Sequence, residues 1–272
     1  MKYDPIKKGL GKVFNANPFL RILFYRLLDL LLLRSWHIRR ELRRAAGHMD
    51  GSSIILDAGS GFGQYTHFMS GLRRGWKIKG IDLKEEQTED CNRFFTKIGR
   101  GDRISFETAD LTSFVEKDTY DLILCVDVME HIEDDEQVFR NFAASTKAGG
   151  LLIISTPSDQ GGSDVHDDED QSFIEEHVRD GYNIKEIEDK ITRAGYARAD
   201  VRYSYGTPGK LSWKISMKYP IILLNTSKLF YIILPFYYLI AYPFAFILNL
   251  IDLNSRHKTG TGLIVRAVKN GS

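Results

Sequence analysis

Short apolar runs alternate with longer amphipathic segments through the central part of the chain. The apolar runs lie at 54–57, 77–83, 104–111, 120–126 and 149–157. Each is short and rich in β-branched or aromatic residues, which predicts a buried strand. Because strand and helix patterns follow each other in turn, we expect a parallel sheet with helices on both of its faces.

A longer apolar segment interrupts this pattern near the end of the chain. It covers 219–251, carries Lys228 as its only charged side chain, and lies between candidate strands at 198–204 and 262–269. Two membrane spans would need roughly 40 apolar residues and a turn, which is more than the segment offers. Three prolines are also expected to break or kink a helix here, namely Pro220, Pro235 and Pro243. The pattern favours a re-entrant or interfacial helical hairpin, with a soluble lid or a dimer interface as the alternative.

The N-terminal segment 18–34 is also apolar, with a few charges, and runs into a basic helical pattern at 36–46. It does not fit a signal peptide, because charges interrupt the apolar run and no small-residue cleavage site follows. Two interpretations stay open. The segment is an interfacial helix with basic residues near lipid headgroups, or it is a helix that caps the sheet.

Glycines at every second position follow the first strand. The strand ends at Asp57, and Gly59, Ser60, Gly61 and Gly63 come next. Glycines let the backbone turn sharply and approach a ligand, and the helix expected from about Gln64 would point its amides at that ligand. The next strands end near Asp82, Asp110 and Val126, and the carboxyl ends of parallel strands meet at one edge of the sheet, where α/β folds bind ligands.

This order of motifs resembles the class I S-adenosylmethionine (SAM)-dependent methyltransferases, in particular the ubiquinone-pathway O-methyltransferases. A dinucleotide site would place its third glycine one residue later. The resemblance covers roughly 52–204 and the last strand. It implies a Rossmann-like, seven-stranded α/β sheet, with SAM as methyl donor. The cofactor contacts it implies are Asp57, Gly59, Ser60, Gly61, Gly63, Asp82, Leu83, Asp110, Leu111 and Val126, with Asp82 on the ribose and Asp110 on the adenine amino group.

The loop after the fourth strand is expected to border the transferred methyl group. It contains Asp127, Glu130 and His131. Histidine is the most frequent general base in enzymes, so His131 is the candidate general base, with Glu130 orienting it or contacting the acceptor. A structural role for His131 is the alternative. The related Glu-x-x-Glu-His loop holds a divalent metal, but Asp127 supplies a shorter arm, so we assign no metal site.

The stretch 177–182 resembles a mobile cover over the acceptor pocket in many small-molecule methyltransferases. The resemblance implies that His177, Arg179 and Tyr182 contact the acceptor. Arg179 suits an anionic group such as phosphate or carboxylate. The neighbouring acidic run at 164–170 lacks the spacing of a calcium loop and is interpreted as a solvated loop.

The charge is segregated along the chain, although the net charge is only +1. Residues 1–50 and 206–260 are both basic and apolar, as expected for contact with a membrane that contains anionic lipids. We therefore expect four parts: a basic amphipathic helical region at 1–50, a SAM-binding core at 51–205, an apolar insertion at 206–260, and a last strand and tail at 261–272. Nucleic acid is an unlikely partner by this pattern, because the basic residues interleave with aliphatic runs.

The sequence favours a monotopic or peripheral enzyme on the cytoplasmic face of a membrane. Its two cysteines have no disulfide or zinc spacing, which fits a reducing compartment. The leading hypothesis is methyl transfer to a lipophilic or lipid-linked acceptor: a quinone precursor, isoprenoid, lipid-linked glycan or phospholipid. Two alternatives stay open. One is a methyltransferase for a soluble metabolite or protein, with the apolar parts as anchor or dimer interface. The other is a non-catalytic SAM-binding protein tethered to a membrane.

Overall fold

The computed structural model describes residues 17–161, 178–227 and 230–271. Its centre is a seven-stranded sheet with the order β3-β2-β1-β4-β5-β7-β6. The strands are β1 Ile54–Ala58, β2 Lys77–Asp82, β3 Ile104–Thr108, β4 Tyr120–Val126, β5 Thr146–Pro157, β6 Tyr196–Ser204 and β7 Gly262–Lys269. Strands β1 to β5 pair in parallel, while β7 runs antiparallel to both β5 and β6. The predicted α/β sheet is confirmed.

Helices cover both faces of the sheet. Within the described residues they are α1 Pro18–Leu31, α2 Leu33–Ala46, α3 Gln64–Leu72, α4 Glu85–Lys97, α5 Asp135–Ser145, α6 Ile184–Ala194, α7 Thr207–Trp213, α8 Tyr219–Thr226 and α9 Phe230–Asn254. Two clusters of buried apolar side chains fill the two interfaces, one centred on Ile123, Phe139 and Ile154 and the other on Leu42, Phe95 and Leu124. Alternate residues of each strand therefore pack on opposite layers.

The N-terminal segment forms two helices with a break at Leu32, whose backbone is extended. One side of α1 caps the sheet: Arg21 and Tyr25 are almost fully buried. The other side stays exposed and apolar, at Phe19, Leu23, Leu27 and Leu30. The capping interpretation thus describes the buried side of α1, and the interfacial interpretation of its exposed apolar side stays a prediction.

The apolar insertion is a helical hairpin. Helix α7, a π-helical turn at Lys214–Lys218 and α8 form the first arm, and α9 returns along it as the second. The tyrosine hydroxyls of α9 join the arms, since Tyr237 donates to the Ile215 carbonyl at 2.7 Å and Tyr238 to the Ser216 carbonyl at 2.8 Å.

The expected helix breaks do not occur, because Pro220, Pro235 and Pro243 each lie within a continuous helical run. Helix α9 continues through Pro235 and Pro243 for 25 residues. Pro220 follows the π-helical turn Lys214–Lys218 within a run that is helical from Thr207 to Thr226, and the Ser216 carbonyl four residues before it accepts the Tyr238 hydroxyl. The cross-arm bonds described above add tertiary support to α9, which the local pattern did not reveal.

Candidate cofactor and active site

The carboxyl ends of β1, β2 and β4 form the base of the site. Ala58 pairs with Ile81 on one side and with Cys125 on the other, so the residues that follow these strands emerge together. The amides of Gly59 and Ser60 both donate to the Ile81 carbonyl at 2.8 Å. These two bonds fold the glycine loop over the end of β2.

Positive φ angles explain the glycines of this loop. Gly59, Gly61 and Gly63 have φ of 73°, 51° and 80°, in a region that residues with a Cβ rarely adopt. A Cβ on Gly59 would also collide with the Val128 side chain, whereas one on Gly61 would have the Gln87 side chain at 4.0 Å as its nearest neighbour. Gly59 is thus fixed by packing, and Gly61 borders open space.

Asp82 holds the loop in place. Its carboxylate accepts the Gly61 amide at 2.9 Å and the Lys84 amide at 3.0 Å, one bond on each oxygen. A carboxylate oxygen has two acceptor positions, so each retains one for a ribose hydroxyl. The Ala109 amide donates to the Asp82 carbonyl at 3.2 Å, which brings the third strand end beside the second.

Asp110 and Leu111 lie in the turn that follows. The exposed Asp110 carboxylate accepts the amide and hydroxyl of Thr112, each at 2.8 Å on the same oxygen. The Leu111 side chain is buried, and its carbonyl accepts the Asn141 side chain at 2.9 Å. The second oxygen of Asp110 has no bond among these contacts, so a donor such as an adenine amino group would find an acceptor there.

Asp57 lies beneath the loop rather than at its surface. Its buried carboxylate accepts the Thr66 hydroxyl at 2.5 Å, and burial raises its pKa to about 6. Ser60 is also buried, and its hydroxyl has no partner among the described residues. Both residues support the loop from below, while Leu83 is largely exposed and Val126 ends β4 half-buried.

The donor set fits SAM. Open space at Gly61, spare acceptor positions on Asp82 and Asp110, and the start of α3 at Gln64 surround one edge of the sheet. These groups would bind ribose, adenine and the methionine part of the cofactor, and a larger residue at Gly59 would displace the loop. The cofactor assignments of the individual residues stay predictions.

The two catalytic candidates occupy different environments although they are adjacent. Glu130 is buried, its carboxylate accepts the Thr156 hydroxyl at 3.1 Å, and its carbonyl accepts the Val178 amide at 3.0 Å. Burial raises the pKa of Glu130. His131 ends the 3-10 turn Met129–His131 with an exposed side chain. His131 therefore suits proton transfer with an acceptor, and Glu130 suits positioning of the loop.

Arg179 and Tyr182 contact the residues that follow this loop. Arg179 pairs with Asp135 at 2.6 Å and donates to the carbonyls of Ile132 and Glu133. The buried Tyr182 hydroxyl donates to Asp135 at 2.7 Å. These contacts give both side chains a positioning role, and their contact with an acceptor stays a prediction. His177 and the acidic run at 164–170 lie outside the described residues.

Sequence reasoning missed the role of the α1–α2 junction. Arg34, at the start of α2, forms an ion pair with Asp127, which follows β4 with a φ of 51°. The Arg34 amide donates to the Tyr205 hydroxyl at 2.9 Å, and Tyr205 also has a positive φ, 54°. The sequence offers one signal for this contact, the arginine at the end of the apolar segment 18–34. Its acidic partner could not be named, because that pairing depends on tertiary structure.

Among the described residues, no group of three or more His, Cys, Asp or Glu side chains is arranged to hold a metal ion. Asp127 instead pairs with Arg34, and Glu130 is buried against Thr156. We therefore derive no metal-dependent step for this loop.

Comparison with known proteins agrees with this geometry. A family model described as a methyltransferase domain matches residues 32–198. The ubiquinone biosynthesis O-methyltransferase of Idiomarina loihiensis is 26% identical over 113 residues, which is 40% of this chain and 45% of that protein. Phosphoethanolamine N-methyltransferase 1 of Triticum aestivum is 33% identical over 128 residues, 42% of this chain and 25% of that protein. The chain thus matches less than half of the length of these curated relatives.

Solved structures show the same fold at low identity. Phosphoethanolamine N-methyltransferase 2 of Haemonchus contortus, in complex with SAM, superposes with a TM-score of 0.62 at 16% identity, over 86% of this chain and 53% of that one. The family model covers more than half of the chain. The chain therefore belongs to the methyltransferase domain family.

Proposed function

We propose that this protein is a monotopic methyltransferase that methylates a lipophilic or lipid-linked acceptor at the cytoplasmic face of a membrane. The observation that carries the proposal is the contact of one pair of helices, α1 and α2, with both the cofactor loop and a large exposed apolar surface. The proposal keeps the four parts expected from the sequence: 1–50, 51–205, 206–260 and 261–272.

The exposed apolar surface is mostly helix α9. It is long and apolar enough to cross a membrane, and almost all of it lies outside the protein core. Phe236, Leu239 and Ile240 are 68%, 76% and 70% exposed. A soluble monomer rarely exposes a contiguous apolar area of this kind. At about 1.5 Å per residue, 25 helical residues extend about 37 Å, enough to enter a bilayer deeply.

Helices α1 and α2 attach this surface to the core. The Tyr242 hydroxyl of α9 donates to the Leu30 carbonyl at 3.1 Å, and Trp36 packs edge-on against Phe246 with 5.0 Å between ring centroids. At the end of α9, the buried Asp252 carboxylate contacts His37 of α2 at 2.9 Å. The exposed leucines of α1 extend the same apolar area.

The same helices contact the cofactor loop. Arg21 donates to the Phe62 carbonyl at 2.7 Å, and the Tyr25 hydroxyl donates to that carbonyl as well. The Gln64 side chain donates to Asp29 at 2.8 Å. Together with the Arg34–Asp127 pair, these bonds connect the helices that carry the exposed apolar surface to the carboxyl ends of β1 and β4, which supports a membrane-side entry to the site. An acceptor that dissolves in the bilayer would then reach the site without crossing water.

Methyl transfer requires that the acceptor be aligned with the methyl group of SAM and that the acceptor lose a proton. Bound SAM supplies a methyl group on a sulfonium, which is transferred in one in-line displacement. The 3-10 turn places His131 at the surface of the loop after β4, where its imidazole would accept the proton of an acceptor hydroxyl or amine. The buried Glu130 and the Arg179–Asp135 pair hold that turn in position.

The test is methyl transfer from labelled SAM to an extract of host membranes, followed by organic–aqueous partition. We expect label in the organic phase, and none with Asp82→Ala. Label confined to the aqueous or protein fraction would contradict a lipophilic acceptor. A Phe236→Ser, Leu239→Ser, Ile240→Ser variant should lose binding to phosphatidylcholine vesicles, whereas Val115→Ser, an exposed apolar site away from the hairpin, should not.

A further inference from the structure

Three arginines share a cavity on the outer part of the sheet. The cavity has a volume of about 410 Å³ and is lined by Arg198, Asp200, Arg256, Arg266 and Val268. Strand pairing sets Asp200 opposite Arg266 and Arg198 opposite Val268, so these four side chains project from one face of β6 and β7. On the other face, Val265 and Ala267 are fully buried. We call this feature the arginine cavity.

The arginine cavity carries an uncompensated positive charge. Asp200 is the one carboxylate in its lining, against three guanidinium groups. In the parts of the chain that the structure describes, none of the three arginines has an ion-pair partner. By contrast Arg202, the next residue on that face of β6, pairs with Glu41 at 2.6 Å. Three converging cations repel each other, and a bound anion would remove that repulsion.

The guanidinium groups indicate which class of anion the cavity would bind. Guanidinium groups present planar pairs of N–H donors that match phosphate and carboxylate oxygens, and they retain their charge at all physiological pH values. A cavity of this volume lies within the range of small-molecule sites, and it is large enough for a phosphate with its substituents. A phosphate monoester or diester therefore suits the lining.

The position of the cavity identifies the source of that phosphate. Helix α9 ends at Asn254, and its last exposed apolar side chains are Leu250 and Ile251. Arg256 follows five residues after Ile251. The adjacent His257 pairs with Tyr203 of β6 in an isolated bridge, and its ring contacts Asp252 at 3.1 Å, so the segment after α9 is held beside the cavity. The exposed apolar side chains at the end of α9 are thus followed by arginines, in the order in which the hydrocarbon layer of a bilayer is followed by its headgroups.

We propose that the arginine cavity binds the phosphate group of an anionic lipid headgroup and so fixes the enzyme's orientation on the bilayer. The inference rests on the proposed membrane association. The hairpin would supply affinity for any bilayer, and the cavity would add a preference for anionic lipid. The partner is thereby a phospholipid surface of defined charge, distinct from the methyl acceptor at the other end of β7.

The experiment compares two triple variants in vesicle flotation. One replaces the cavity arginines (Arg198→Gln, Arg256→Gln, Arg266→Gln). The matched control replaces three exposed helix arginines (Arg93→Gln, Arg140→Gln, Arg193→Gln). Vesicles are phosphatidylcholine alone, or equal parts phosphatidylcholine and phosphatidylglycerol. Each arginine near an anionic surface contributes roughly five-fold in affinity, so the cavity variant should lose on the order of 100-fold on anionic vesicles. The control should lose far less.

Each outcome separates this inference from the proposed function. An equal loss of affinity for anionic vesicles in both variants, or no loss in the cavity variant, would overturn the site.

A competition experiment identifies the source of the phosphate. Inorganic phosphate should displace the wild type from anionic vesicles only weakly at constant ionic strength. If it binds the cavity as tightly as the headgroup does, the site takes a soluble anion and the lipid assignment fails. Binding to neutral vesicles should be unchanged in the cavity variant. If the wild-type protein does not bind vesicles of phosphatidylcholine alone, the proposed membrane association itself is contradicted.

Discussion

Replacement of Gly59 by alanine tests how the cofactor loop is built. A Cβ at this position meets two separate penalties: a φ of 73° and a collision with the Val128 side chain. The backbone strain costs about 1–2 kcal/mol, and overpacking of a filled site costs about 1–3 kcal/mol. We therefore expect Gly59→Ala to lower the free energy of unfolding by about 2–5 kcal/mol.

Gly61→Ala is the matched control. Its φ of 51° imposes a similar strain, but the added Cβ would lie 4.0 Å from its nearest neighbour. The loss of stability should stay near 1–2 kcal/mol. Because that Cβ enters the open space beside Asp82, the variant should lose SAM affinity to a greater extent than stability.

Urea unfolding of a double-mutant cycle separates the two penalties. Val128→Ala removes the obstructing methyl groups, so it should offset part of the effect of Gly59→Ala, with a coupling free energy of about 1–3 kcal/mol. Calorimetric titration with SAM runs in parallel on each variant. Equal destabilisation by Gly59→Ala and Gly61→Ala, or zero coupling between Gly59 and Val128, would refute the packing argument.

Three further predictions concern charged or titrating side chains. Asp82→Ala should abolish SAM binding in calorimetry, because it removes the predicted ribose acceptor and the bond to the Gly61 amide. His131→Ala should lower kcat by about 10²–10⁴-fold with SAM affinity unchanged, if His131 is the base; an unchanged kcat would leave it a structural residue. The raised pKa of Asp57 contributes stability that is fully present below about pH 4 and is lost as pH rises through about 6, a change of about 3 kcal/mol. Urea unfolding from pH 4 to 8 should show this slope in the wild type, and Asp57→Asn should lack it.

Much of the fold follows from local pattern. The strand from Ile54, which ends at Ala58 one residue after the predicted Asp57, the glycine loop and the helix beginning at Gln64 occur where the sequence predicts them, because apolar runs and glycine spacing act over a few residues. The antiparallel β7 could be expected only from the family resemblance.

The remaining features depend on contacts between distant segments. The break at Leu32 and the Arg34–Asp127 pair arise where α2 meets the end of β4, about 90 residues further along the chain, which no local pattern encodes. The local sequence pattern also does not predict that α9 continues through its prolines. The continuous helix forms hydrogen bonds to the opposite arm of the hairpin, which local pattern does not encode. The arginine cavity needs the register of β6 on β7, since a shift of one residue would move its side chains to the other face.

Surface-dilution kinetics test whether the acceptor reaches the site from the bilayer. The unmethylated host lipid fraction that contains the acceptor is reconstituted in phosphatidylcholine vesicles with labelled SAM outside, and inert phosphatidylcholine is added while the bulk acceptor concentration stays constant. If the enzyme takes its acceptor from the bilayer beside α1 and α9, the initial rate of methyl transfer should fall as the mole fraction of acceptor in the membrane falls. A rate that depends only on the bulk concentration would show that the acceptor arrives through water, and would contradict the account.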